Sequence, residues 1–169
     1  AASIQSGGFG SFSKNFGTAG GGLLEAEVVT ADGQARIVNA CTNPDLFWGI
    51  KGGGVGSLGV VTRLTLRLRE LPAVFGVVGV TIRAASDAAF RRLVGQFVSF
   101  YSDNLLNAHW GESVTFEPGN ALAVTMVFQG LDRAQARSIW QPFFNWVVGL
   151  PKDFTITRPI FIRGAPARD

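Results

Sequence analysis

Three kinds of residue in this 169-residue sequence could do chemistry: two glycine clusters, one histidine and one cysteine. The first cluster, Ser6-Gly7-Gly8-Phe9-Gly10, opens the stretch SGGFGSFSKNFGTAGGG, where a folding domain would ordinarily start to build its core. Backbone stripped of side chains lets a ligand lie against peptide N–H groups, which suit phosphate and the polar edge of a ring system. The second cluster, GGGVGSLG, holds Gly54, Gly56 and Gly59 at G-x-G-x-x-G spacing. That spacing binds a dinucleotide when a strand precedes it and a helix follows, because the helix N-terminus then faces the pyrophosphate. Here a helix is predicted before it and a strand after it, so a Rossmann fold is not expected. No glycine run ends in the Gly-Lys-Ser/Thr of a P-loop. From spacing alone, both clusters read equally well as tight turns.

His109 is the only histidine and stands before Trp110 and Glu112 in a predicted loop or strand entry. Imidazole suits proton transfer near neutrality, and a lone histidine equally suits a structural role. Asp103 and Glu117 read as solvated loop carboxylates. Cys41 is alone, so neither a disulfide framework nor a multi-cysteine metal site can form within the chain, and it reads as a small buried apolar residue. No metal is expected. Fifteen basic and 12 acidic residues give a net charge of +3 without any run of one sign, which argues against a nucleic-acid partner. Apolar runs such as Val74 to Val80 are too short to span a bilayer, and the start lacks the basic end and apolar segment of a signal peptide. No membrane partner is expected, and a cytoplasmic location is favoured.

With 47% hydrophobic and 16% charged residues the chain can bury a real core. Composition changes near Leu71-Pro72: 14 of the 22 glycines but only 4 of the 14 phenylalanines come before it. A domain boundary is placed there, giving segments 1–72 and 73–169. In the first, LLEAEVVTADGQARIV predicts a hairpin turning at Asp32-Gly33. NPDLFWGIK predicts a short helix with Asn43 as N-cap and Pro44 at the first position, and VVTRLTLRLR a long strand with Val61, Leu64, Leu66 and Leu68 inward. In the second, Ser86 caps a helix whose apolar stripe is Phe90, Leu93, Val94, Phe97, Val98 and Tyr101. Asp132 caps another, with Ala136, Ile139, Trp140, Phe143, Phe144 and Val147 on its stripe and Pro142 expected to kink or divide it. Strands are predicted at VFGVVGVTI, at ESVTFEP and ALAVTMVF around the Gly119-Asn120 turn, and at DFTITRPIFI. The class is α+β, and the order βαββαβ implies helices on one face of an antiparallel sheet, as in ferredoxin-like folds. The aromatic stripes are core, without a cofactor role.

The segments SGGFGSFSKNFGT, LLEAEVVTADG and NPDLFWGIKGGGVGSLGVVTRLTLRL, in unbroken order from residue 3 to about 72, resemble the PCMH-type FAD-binding domain of the vanillyl-alcohol oxidase superfamily. The branch is that of the berberine bridge enzyme-like FAD-linked oxidases. The second half resembles, more loosely, the start of that family's substrate-binding domain. The resemblance implies that FAD lies against the backbone of Ser6, Gly7, Gly8, Phe9 and Gly10, with Gly59, Val60 and Val61 near its adenine end. The stretch Asn43 to Trp48 and Gly52 to Gly54 supports the fold. Where family members often carry Asp-Asn before the hairpin this chain has Gly21-Gly22, it has Leu58 in place of a phenylalanine, and Val55 interrupts a glycine run.

The resemblance also implies that the phosphate-binding loop and the residues that attach flavin covalently would precede Ala1, and Cys41 does not match the attachment cysteine. The chain then reads as a fragment of an FAD-dependent oxidase or dehydrogenase that takes a hydride from a substrate carbon bearing a hydroxyl or amine. The fragment by itself is expected to be inactive and to bind no FAD. Its catalytic base is not assigned, and the FAD-facing side would be covered by the missing upstream subdomain or by a second copy. The competing readings are a non-catalytic binding or structural module, and a degenerate relative that keeps the fold without the cofactor.

Overall fold

The computed structural model describes residues 2–168, which fall into two units, one ending at Glu70 and the other beginning at Leu71. The first unit starts with α1 (Ala2–Gln5), which turns Ile4 and Gln5 inward, and α2 (Ser13–Phe16), which follows the first glycines. A 3₁₀ turn at Gly20–Gly22 leads into β1 (Leu23–Val29), and β2 (Ala35–Asn39) pairs with it antiparallel. The hairpin turn lies where Asp32-Gly33 predicts it. Thr30 N–H donates to the Gln34 carbonyl, and Arg36 forms a bidentate pair with the Asp32 carboxylate at 2.7 and 3.0 Å. The Arg36 guanidinium, then the Thr30 hydroxyl and the Gln34 N–H, hold the Asp32 carboxyl well below the usual range.

Helix α3 (Pro44–Ile50) has Pro44 in its first turn, as expected, but Asn43 does not cap it. Asn43 adopts a left-handed conformation, and its side-chain amide donates instead to the Ile37 carbonyl at 2.9 Å. Strand β3 (Val60–Leu66) pairs with β1 on the side opposite β2, so the order is β2-β1-β3. Val61 and Leu64 face inward as expected, whereas Leu66 and Leu68 do not. Glu27 pairs with Arg63 and Val28 with Val61, so a bulge absorbs Thr62, and Val61 and Leu64 both reach the core. Leu66, at the strand's end, is exposed, and Leu68, past it, is 91% exposed.

The second unit carries the predicted βαββαβ elements in order, with one further two-residue strand between the helices that the sequence does not predict. It runs β4 (Val74–Ala84), α4 (Asp87–Asn104), the two-residue β5 (Trp110–Gly111), β6 (Val114–Glu117), β7 (Ala121–Gln129), α5 (Arg133–Val148) and β8 (Phe154–Pro166). All pairings are antiparallel, in the order β5-β7-β4-β8 with β6 also on β7. Val78, Val80 and Ile82 of β4 and Leu122, Val124, Met126 and Phe128 of β7 sit at alternate positions and share one core with the inward faces of both helices. Ser86 caps α4, its Oγ accepting the Ala89 N–H, and Asp132 with Gln135 forms a reciprocal capping box on α5.

The buried stripe of α4 is rotated from the expected one. Ala89, Leu93, Phe97 and Phe100 are buried and Val98 is 55% exposed, with Phe100 stacked on Phe143 at 5.2 Å. The α5 stripe is as predicted except that Ile139 is half-buried, and Pro142 does not divide the helix. Among the described residues no helix is long and apolar enough to cross a membrane.

Candidate functional site: a glycine-faced wall

Helix α1 ends where the first glycine cluster begins, so the chain must turn at once. Ser6 spends its hydroxyl on this turn, donating to the Ala2 carbonyl at 2.9 Å, and the Gly7 N–H donates to Ile4. The carbonyls of Gly7 and Gly8 then accept from Gly20 and Ala19, which fastens the cluster to the approach of β1. Gly8 is required by this packing: its φ is +68°, and a Cβ there would lie 2.5 Å from the Ala19 Cβ and 3.0 Å from the Ser3 carbonyl. Gly7 and Gly10 differ from it, since a Cβ at either would meet nothing within 4 Å. The N–H groups of Gly8 and Phe9 take no partner among the hydrogen bonds of the described residues, and the Phe9 side chain is 84% exposed. The cluster is thus a bare, hydrogen-bond-donating wall, open on one side.

Gly59, at the entry to β3, lies against β1 so closely that a Cβ would stand 2.5 Å from the Val29 carbonyl oxygen. Val60 points outward, 67% exposed, whereas Val61 is half-buried and packs on the first unit's core. Sequence reasoning missed the residue that brings the two clusters together. Gln5 is buried, its backbone carbonyl accepts the Gly54 N–H at 3.0 Å, and its side chain accepts from Gly56 N–H at 3.3 Å and donates to the Gly59 carbonyl at 3.5 Å. The only local signal was a polar residue at a position that the fold buries. Its partners lie about fifty residues on, beyond the reach of any spacing rule.

The remaining candidates belong elsewhere. Cys41 is exposed, not buried: it sits in the turn after β2, where Asn39 Oδ1 accepts the N–H groups of both Cys41 and Thr42. In the second unit, His109 is exposed just before β5, with Nδ1 2.9 Å from the Gln129 carbonyl. That bond fixes Nδ1 as the protonated nitrogen of the neutral ring and leaves Nε2 as the acceptor. Asp103 lies in the last turn of α4 and Glu117 at the end of β6, both exposed and in regular structure, not in loops. Tyr101 donates to Glu112 Oε1 at 2.8 Å, and burial, then the Glu112 carboxylate, pushes the phenol up to about 12. At neutral pH it is a hydrogen-bond donor, not a base.

No model of a known protein family matches the chain. Among curated proteins, it is 33% identical over 147 residues to the VAO-type flavoprotein oxidase VAO615 of Thermothelomyces thermophilus, covering 83% of this chain and 24% of that protein. Among solved structures it superposes on the VAO-type flavoprotein MtVAO615 of Myceliophthora thermophila C1 with a TM-score of 0.77 and 27% identity, over 98% of this chain and 29% of that one. The fold is also that of berberine bridge enzyme from Eschscholzia californica, with a TM-score of 0.68 and 23% identity over 97% of this chain and 31% of that one. The chain therefore spans less than a third of the length of these relatives. On this likeness the chain belongs to the family of VAO-type FAD-linked oxidoreductases.

Proposed function

We propose that these residues work as part of a longer FAD-dependent oxidoreductase, in which 1–72 are the C-terminal part of the FAD-binding domain and 73–169 part of the substrate-binding domain. Gly7 to Gly10 lie against the cofactor, with Ser6 shaping the turn and Gly59, Val60 and Val61 framing its adenine end. Bound flavin supplies the redox chemistry, accepting a hydride from a substrate carbon that bears a hydroxyl or amine. The observation that carries this reading is the open wall itself. Gly10 has neither a packing nor a conformational reason to lack a side chain, Gly7 faces open space although its φ of +91° itself favours glycine, and the N–H groups of Gly8 and Phe9 are free to donate to an anionic or polar acceptor. The protein's part is to present these donors on a rigid turn and to keep side chains off the face where the cofactor lies. An upstream segment supplies the other half of the cleft, and without it the 169 residues hold no FAD tightly.

A non-catalytic relative that keeps the fold would need Gly8 and Gly59 just as much, since packing alone accounts for both. Gly10 separates the readings. Gly10→Val in the full-length protein meets open space within the unit, so circular dichroism stays at the wild-type level while flavin absorbance per protein falls several-fold. Equal flavin content in mutant and wild type overturns the proposal.

A further inference from the structure

We infer that Gln5 is the positioning residue of this wall: it sets the separation between the Gly7–Gly10 turn and the Gly54–Gly59 loop, and so the span offered to the cofactor. The inference rests on the flavin reading above and goes beyond it, to a residue that contributes no atom to the open face. Gln5 is one of two buried polar residues among the described ones, 6% exposed, and directly precedes the first cluster. Among the described residues, the hydrogen bonds that tie loop 54–59 to a distant part of the unit all end on it, from Gly54, Gly56 and Gly59. The loop's other holds are packing contacts: Gly59 lies against Val28 and Val29 of β1, and the Leu58 side chain against Gly49. Val55 and Leu58 are exposed, and the Ser57 hydroxyl is spent locally on the Gly53 and Gly54 carbonyls. A primary amide fits the place because it accepts and donates at once, and Gly56 N–H and the Gly59 carbonyl require one of each. An apolar side chain of the same size would leave both groups without a partner, and an ionised carboxylate would satisfy Gly56 while facing a carbonyl oxygen.

Two variants of the full-length protein test this: Gln5→Leu and Gln5→Glu, compared with wild type by amide hydrogen exchange and by FAD titration. In Gln5→Leu, exchange over residues 54–60 should accelerate at least ten-fold while β4, β7 and both long helices exchange as in wild type, and FAD affinity should fall about ten-fold. Gln5→Glu should show the same loosening at neutral pH. Its protection relative to wild type should return as pH falls and the carboxyl takes up a proton, above the ordinary glutamate range because burial and the Gly59 carbonyl disfavour the ionised form, since the protonated carboxyl again offers one donor and one acceptor. Recovery with protonation is a response that a merely space-filling residue would not give, and it remains readable if the leucine variant fails to fold. Wild-type exchange rates at 54–60 in both variants would overturn the clamp. Faster exchange with unchanged FAD affinity would overturn its role in positioning. A wild-type protein that binds no FAD would instead overturn the flavin reading, with the exchange data then judging the clamp alone.

Discussion

The two units solve the problem of stability in opposite ways. The second buries a continuous core of strand residues and aromatic rings, in which Trp140 lies within 6.5 Å of the rings of Phe97, Phe100, Trp110, Phe143 and Phe144. The first has a core of only seven buried apolar residues and leaves Phe9, Trp48, Val60 and Leu68 largely in water. One is finished by its own helices; the other keeps large apolar side chains and unengaged N–H groups on its outside. Large apolar side chains left exposed, if contiguous, mark a surface for something else to cover. The contrast teaches that in the first unit some glycines, such as Gly10, face open space while Gly8 and Gly59 make room for neighbouring backbone and side chains, whereas in the second Gly79 makes room for the Phe161 ring.

The comparison breaks most sharply at Trp140. Trp140→Ala should destabilise the second unit by about 3–5 kcal/mol in chemical denaturation, since it removes a ring that contacts five others. Trp140→Phe should cost only about 1–2 kcal/mol, because the indole N–H is buried without a partner and its loss offsets part of the lost volume. A loss under about 1 kcal/mol for the alanine variant would mean that the aromatic cluster is not the core of that unit.

A smaller effect is expected in the first unit. Gly59→Ala sets a methyl group against the Val29 carbonyl at a φ of +147°, and should cost about 1–3 kcal/mol, read as loss of exchange protection in β1 and β3. If β1 and β3 stay protected in that variant, the close approach of the loop to β1 is not what holds β3 in place.

The smallest concerns pH. Tyr101 is the only tyrosine, so tyrosinate absorbance reports it alone. Its folded-state pKa, about 12, lies above the ordinary value of 10, so the folded state holds this proton more tightly than the unfolded chain does. The stability it contributes is fully present below about pH 10 and is lost as pH rises through 12. Tyr101→Phe should flatten that alkaline fall, and an absorbance midpoint near 10 would place the phenol in open water.

Much of this was legible in the chain. Ser86 and Asp132 marked both long helices because capping is a local affair, settled by one side-chain oxygen and the next turn's N–H groups. Asp32-Gly33 marked the hairpin because a left-handed turn residue is a local demand. The β-branched runs and the glycine spacing gave the element order for the same reason, and the order is what the VAO-type relationship preserves. Tertiary structure decided the rest. The bulge at Thr62 lets Val61 and Leu64 both reach the core while Leu66 at the strand's end stays exposed, and on α4 Phe100, stacked on Phe143, is buried while Val98 is exposed. Asn39 left Cys41 on an exposed turn, and packing alone separated Gly8 and Gly59, whose missing side chains make room for neighbours, from Gly7 and Gly10, which face open space. Gln5 is the clearest case. Its type and place in the sequence say nothing of a role, because its meaning lies in partners about fifty residues away that only the folded chain brings within hydrogen-bonding distance.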